Sequence, residues 1–178
     1  MAFNINDIRS QLTYDGARQN LFQVQITNRG NSVADLKVPF MVQAASLPAS
    51  NLGTIQVPYF GRMMKLAGDR TYDPWVVTII NDEDFLVRNA MEEWSNKINR
   101  FEGNIRDIRN YKSQAQVIQY AKDGKVLRVY EFNGLFPSVI SPIDLGWDLN
   151  DSYELFQVEF QYDNWEVKGG TTGNAGGK

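Results

Sequence analysis

The chain has 178 residues, 43% of them hydrophobic, a net charge of −3, and neither cysteine nor histidine. That length fits one domain with a sizeable core. The missing residue types exclude disulfides, a thiolate nucleophile, cysteine-type zinc sites, a Ser-His-Asp triad and the commonest general base, and the acidic balance offers no overall pull toward nucleic acid or an anionic membrane.

Residues 1–19 are polar and mixed; Ile5, Ile8 and Leu12 fit either a helical turn or two or a loose arm. MAFNINDIRSQL lacks the basic start and apolar stretch of a signal peptide, and no apolar run approaches a membrane span. The expectation is a chain made and kept in a cytoplasm. Residues 21–27 alternate: Phe22, Val24 and Ile26 face one way and Gln23, Gln25 and Thr27 the other, as in a half-buried strand. A turn cluster at 28–32 precedes a predicted strand over 36–44, with Pro39 at an edge or bulge. Residues 46–66 read as a protruding hairpin. They carry Ile55, Val57, Tyr59, Phe60, Met63 and Met64, too apolar for disorder, and long excursions of this kind are commonly functional. A hairpin folded back on its own core is the plainer alternative.

Gly68, Asp69 and Arg70 read as a tight turn: Gly68 for positive φ, Asp69 for a carboxylate folded onto backbone amides, Arg70 for a structural ion pair with Asp69 or Asp73. Pro74 starts a strand with Trp75, Val77 and Ile79 on one face. A helix over about 82–102 follows, capped by Asn81 or Asp82, with Val87, Ala90, Met91, Trp94, Ile98 and Phe101 on its apolar stripe. Asp123-Gly124 joins strands 113–121 and 125–132 as a hairpin. Asn133-Gly134 makes a further turn, and a short strand over 135–141 is broken by proline. Residues 153–165 form the last strand: Phe156, Val158, Phe160 and Tyr162 face the core, and Gln157, Glu159, Gln161 and Asp163 face away. One domain thus spans 1–168, and 169–178 (GGTTGNAGGK) reads as a flexible tail.

Little in the chain carries chemistry. The carboxylates at 82–84 suit a helix start better than a metal. Residues 148–159 mimic a calcium loop but place Tyr153 where glycine is required. Arg100, Arg106, Arg109 and Lys112 cluster near Phe101 and Tyr111, as a solvated connector or protein contact rather than a nucleic-acid patch. No catalytic residue, metal site or cofactor is expected. The positive signal is several strands with one apolar face and one face of uncharged glutamine: Gln23, Gln25, Gln114, Gln116, Gln157 and Gln161. Strands of this kind leave open edges, which either a covered monomeric sandwich or a closed ring of subunits would resolve.

The run AGDRTYDPWVVTIINDED, with Asn20-Leu21-Phe22-Gln23-Val24, Gly134-Leu135-Phe136-Pro137 and Trp147-Asp148 in the same order, resembles the tail tube proteins of contractile-tailed bacteriophages over roughly residues 17–166. The resemblance implies a mainly β (α+β) fold, a barrel-like β-sandwich with one flanking helix. It implies a structural virion subunit, not an enzyme, that forms hexameric rings stacked into a tube inside a sheath. Baseplate hub, tail terminator, sheath and tape measure protein are the implied partners, with DNA passing without specific binding and no membrane contact. The tube would be assembled in the host cytoplasm and kept in the virion tail. By the same analogy the 46–66 hairpin stacks ring on ring; the Gln157, Glu159, Gln161 and Asp163 face, weakly acidic, is the expected lumen wall. The family commonly ends near Asn164-Trp165-Glu166, so the Gly-rich tail departs from it. Alternatives are a type VI secretion or injection tube and, remotely, a monomeric glycan-binding sandwich using Trp75, Trp147 or Trp165, although each of these tryptophans fits a core position.

Overall fold

The computed structural model describes residues 5–12, 16–29, 31–100, 102–103 and 110–173. Alternating apolar residues build two facing antiparallel layers. The first runs β1 (Phe22–Ile26), β6 (Ser113–Tyr120), β7 (Val126–Ile140), β9 (Asn164–Val167). The second runs β7, β8 (Leu155–Gln161), β5 (Trp75–Ile80), β2 (Val42–Ala45). β3 (Asn51–Tyr59) and β4 (Arg62–Thr71) form a separate two-stranded sheet. Helices α1 (Ile5–Gln11), α2 (Val38–Met41) and α3 (Leu86–Ile98) complete the described elements, with a 3-10 turn at Ala34–Leu36. No helix among the described residues is long and apolar enough to cross a membrane.

The inward residues of both layers meet in one core. Val24, Ile26, Ala115, Val117 and Phe132 come from the first layer, and Trp75, Val77, Ile79, Phe156, Val158 and Phe160 from the second. Trp75 stacks on Phe132 across the gap with ring centroids 4.3 Å apart. α3 closes one side of this core through Val87, Ala90, Met91 and Trp94. Its side-chain stripe follows the expected 3.6-residue spacing. The Trp94 indole N–H donates to the Tyr111 carbonyl at 2.8 Å, and Asn28 Nδ2 donates to the Ala90 carbonyl at 3.0 Å.

β7 belongs to both layers, and Gly134 is the reason. Its φ of +71° and the register shift opposite Ser113 and Gln114 make a bulge where the strand turns from one sheet into the other. The expected Asn133-Gly134 turn is therefore a bulge inside a 15-residue strand. The last strand breaks correspondingly at Tyr162 and Asp163 into β8 and β9. A Cβ at Gly134 would collide with the Asp163 carboxylate, which accepts from Lys112 Nζ at 2.6 Å. We expect Gly134→Ala to cost about 1–2 kcal/mol for the left-handed backbone alone, lowering the melting temperature by roughly 2–8 °C in a calorimetric scan.

Other expectations are corrected. The strand over 36–44 is mostly helical: Pro39 sits in the first turn of α2, where its missing N–H costs nothing, and β2 begins only at Val42. The single flanking helix has two short companions. α3 spans 86–98, not 82–102, because Phe85 takes a φ of +50° at its N-cap and Asn99 is extended. Neither Asn81 nor Asp82 is the cap. Asp84 Oδ1 accepts from the Leu86 N–H at 3.0 Å and Asp82 Oδ1 from the Glu83 N–H at 2.9 Å. Phe101, Arg106 and Arg109 lie outside the described residues. The start of the tail is ordered on β7: Thr172 Oγ1 donates to the Leu127 carbonyl at 2.8 Å. Residues 174–178 lie outside the described set.

Lys37 ties the 3-10 turn to the α3 entry, donating to Asp82 at 2.7 Å and Asp84 at 2.5 Å. Those hydrogen bonds, then the backbone N–H of Glu83 or Leu86, hold both carboxyls below the usual carboxylate range, and the same two acids push Lys37 up. A lowered carboxyl contributes stability above its unfolded pKa of about 4 and loses it as pH falls through the folded value. A raised lysine contributes below about pH 10.4 and loses that as pH rises through its folded value. The melting-temperature gap between wild type and Lys37→Met should thus be fullest from about pH 5 to 10 and close as pH falls through the lowered carboxyl range. Salt should shrink it throughout.

Candidate interaction surfaces

The β3–β4 hairpin is the most unusual surface of the molecule. Every residue of β3 is exposed, as is every residue of β4 except Gly68. Its register sorts the side chains. Ile55 pairs with Leu66, Val57 with Met64 and Tyr59 with Arg62, so these share one face. Pro58 pairs with Met63 and Gln56 with Lys65 on the other. The turn at Phe60 and Gly61 has positive φ at both residues, 42° and 77°. Phe60, 91% exposed, sits edge-on to Tyr59 with centroids 4.6 Å apart. Of the six expected hairpin residues, four therefore form one ladder (Ile55, Val57, Tyr59, Met64), Phe60 caps the tip and Met63 faces away. Leu66 was missed; strict alternation opposite Ile55 is the signal that finds it.

Gly68, Asp69 and Arg70 do not form a turn. They lie inside β4, and the reversal is instead at Phe60 and Gly61. Gly68 serves close strand approach at the hairpin base: a Cβ there would lie 3.1 Å from the backbone of Gly53. The register shift between Leu52 and Thr54 marks the same irregularity. Asp69 and Arg70 are exposed, and among the described residues Arg70 forms no ion pair; Asp73 accepts instead from Asn51 Nδ2 at 2.6 Å.

Gln157, Glu159 and Gln161 share the outer face of the second layer. Gln157 is beside Thr78 and Glu159 lies between Val76 and Val139. Asp163 has left that face at the strand break, paired with Lys112. The strands of the second layer, 42–45, 75–80, 136–140 and 155–161, hold one charged residue, Glu159, and no cation. The first layer's outer face groups Gln25, Gln116, Glu131 and Glu166 across its strands, with Lys168 bonded to Glu131 at 3.0 Å. Among the tryptophans, Trp75 is core and donates to the Ser46 carbonyl at 2.9 Å. Trp165 is half-buried and donates to the Ala49 carbonyl at 3.0 Å. Trp147 contradicts its expected core place and is fully exposed in the β7–β8 loop.

Among the described residues no cluster of acidic side chains able to hold a metal emerges; the functional geometry is one of faces, edges and a projecting hairpin. Two neighbours with known structures share this fold. One is the tube-terminating cap of the anti-feeding prophage (TM-score 0.66, 18% identity, covering 88% of this chain and 93% of that one). The other is a chain of the extended sheath-tube complex of the PVC extracellular contractile injection system (TM-score 0.60, 13% identity, 94% and 99%). The fold is that of the tube proteins of contractile injection systems.

The family model for phage tail tube proteins matches residues 11–168. The chain is 37% identical over 158 residues to tail tube protein gp19 of Enterobacteria phage T4, covering 85% of this chain and 92% of that protein. It is 25% identical over 165 residues to the tail tube protein of Serratia phage KSP90, covering 89% and 93%. The chain belongs to the phage tail tube protein family, and it is a structural component of the virion tail.

Proposed function

We propose that this chain is the repeating subunit of the inner tube of a contractile tail, stacked as hexameric rings inside a sheath, and that it conducts DNA without catalysing a reaction. A baseplate hub starts the tube, a terminator ends it and a tape measure protein fills it during assembly in the host cytoplasm. The observation that carries the reading is the hairpin. An apolar ladder of Ile55, Val57, Tyr59, Met64 and Leu66 stands in water, too costly a surface to leave uncovered in a finished particle. Open edges on β1, β2 and β9 support side-by-side closure into a ring.

The lumen is best assigned to the second layer's outer face, at Gln157, Glu159 and Gln161. The hairpin strands run directly from β2 and into β5, so this layer is the one that continues toward the next ring. Its strands also lack cations, and a wall without Lys or Arg gives a phosphate backbone nothing to grip. Purified chain mixed with baseplates should grow hollow tubes of uniform width in negative-stain electron microscopy. A chain that stays monomeric there contradicts the reading. Gln157→Lys with Glu159→Lys should still assemble but slow DNA release from virions; unchanged release would move the lumen to the other layer.

A further inference from the structure

The β7–β8 loop is a second uncovered apolar surface, and nothing in the tube reading assigns it. Leu145 is 81% exposed, Trp147 fully so, and Leu149 and Tyr153 more than half. They border an open groove of about 400 Å³ that also takes in Ile143 and Leu155. Between Pro142 and Leu155 there are four acidic residues and no basic one. Glu154 accepts from Asn81 at 2.7 Å, but Asp144, Asp148 and Asp151 form no ion pair with the described residues. An aromatic knob ringed by unpaired carboxylates selects a partner that is both apolar and cationic.

The hairpin tip has that chemistry. Arg62 and Lys65 flank exposed Tyr59, Phe60 and Met63, and neither cation forms an ion pair with the described residues. We propose that the hairpin tip of one copy docks on the 142–155 loop of a second copy, in the neighbouring ring. Each copy carries both surfaces, so the contact is head-to-tail and repeats without closing, as a growing tube requires. Met63 and Lys65, which share one face of the hairpin, meet Leu145 and Asp148, Arg62 on the other face meets Asp144, and Phe60 at the tip seats against Trp147. The docking rests on the tube reading and names the acceptor that the reading lacks.

The absence of native cysteine makes the test specific. Full-length Met63→Cys and Leu145→Cys chains are mixed, grown on baseplates and mildly oxidised, with each single variant as control. The expected result is a covalent dimer in the mixed tubes and none in either control. In parallel, Arg62→Glu with Lys65→Glu, and separately Asp144→Lys with Asp148→Lys, should each slow elongation by about tenfold or more, less so at high salt. Tubes that grow without the cross-link, or undiminished growth of either reversed chain, overturn the docking alone. Wild-type chain that forms no tubes on baseplates contradicts the tube reading, and the docking with it.

Discussion

Tyr59→Ser combined with Phe60→Ser should yield a subunit that folds normally and does not elongate. The two rings are 70% and 91% exposed and pack edge-on against each other in the hairpin, so the core of Trp75, Trp94 and Phe160 does not register their loss. The melting temperature should stay within about 2 °C of wild type, as for surface changes worth under roughly 0.5 kcal/mol. Stacking is where their loss should register. Burying one such side chain is worth about 1.5–3 kcal/mol. Two per subunit make roughly 3–6 kcal/mol, a factor of more than about a hundred in each contact. Sedimentation with electron microscopy separates the outcomes: folded subunits or short rings without tubes are expected, and full-length tubes would remove the hairpin from the stacking role.

Trp75→Ala has the opposite signature, with folding lost before assembly is reached. Its indole is 1% exposed, stacks on Phe132 at 4.3 Å and meets Phe160 at 5.7 Å. Truncation of a buried tryptophan costs about 3–5 kcal/mol through lost transfer energy and the cavity left behind. The Ser46 carbonyl also loses its donor. For a chain of this size the melting temperature should fall by roughly 6–20 °C. Trp75→Phe keeps most of the stacking and should recover over half of that loss. A drop no larger for Ala than for Phe would mean that the two layers are not joined through this ring.

The strands were legible wherever one face is buried and the other wet. Phe22 to Ile26, Trp75 to Ile80 and Leu155 to Gln161 alternate cleanly, and each became a strand at those positions. The α3 stripe was legible for the same reason at a different period. Residues 36–44 misled because Val38, Phe40 and Val42 alternate like a strand, while Pro39 was equally suited to a first helical turn; packing of Val38 into the core decided it. Gly68 misled because glycine serves both positive φ and close approach, and only the backbone of Gly53 across the hairpin tells which.

Composition and local pattern carried the class of the protein: no residues for thiol, imidazole or zinc-thiolate chemistry, a β-rich chain with one strong helix, an apolar stretch too long to be a mere loop, and the ordered motifs of a tail tube subunit. Tertiary structure alone decided how β7 serves two sheets, which residues of the hairpin stand together, that Asp163 leaves the Gln157 face for Lys112, and that Trp147 stands in water. The division has a physical cause. Periodicity records whether a residue is buried against something, and it is written locally along the chain. What that something is depends on register, bulges and sheet crossing, which are settled by contacts between segments far apart in sequence.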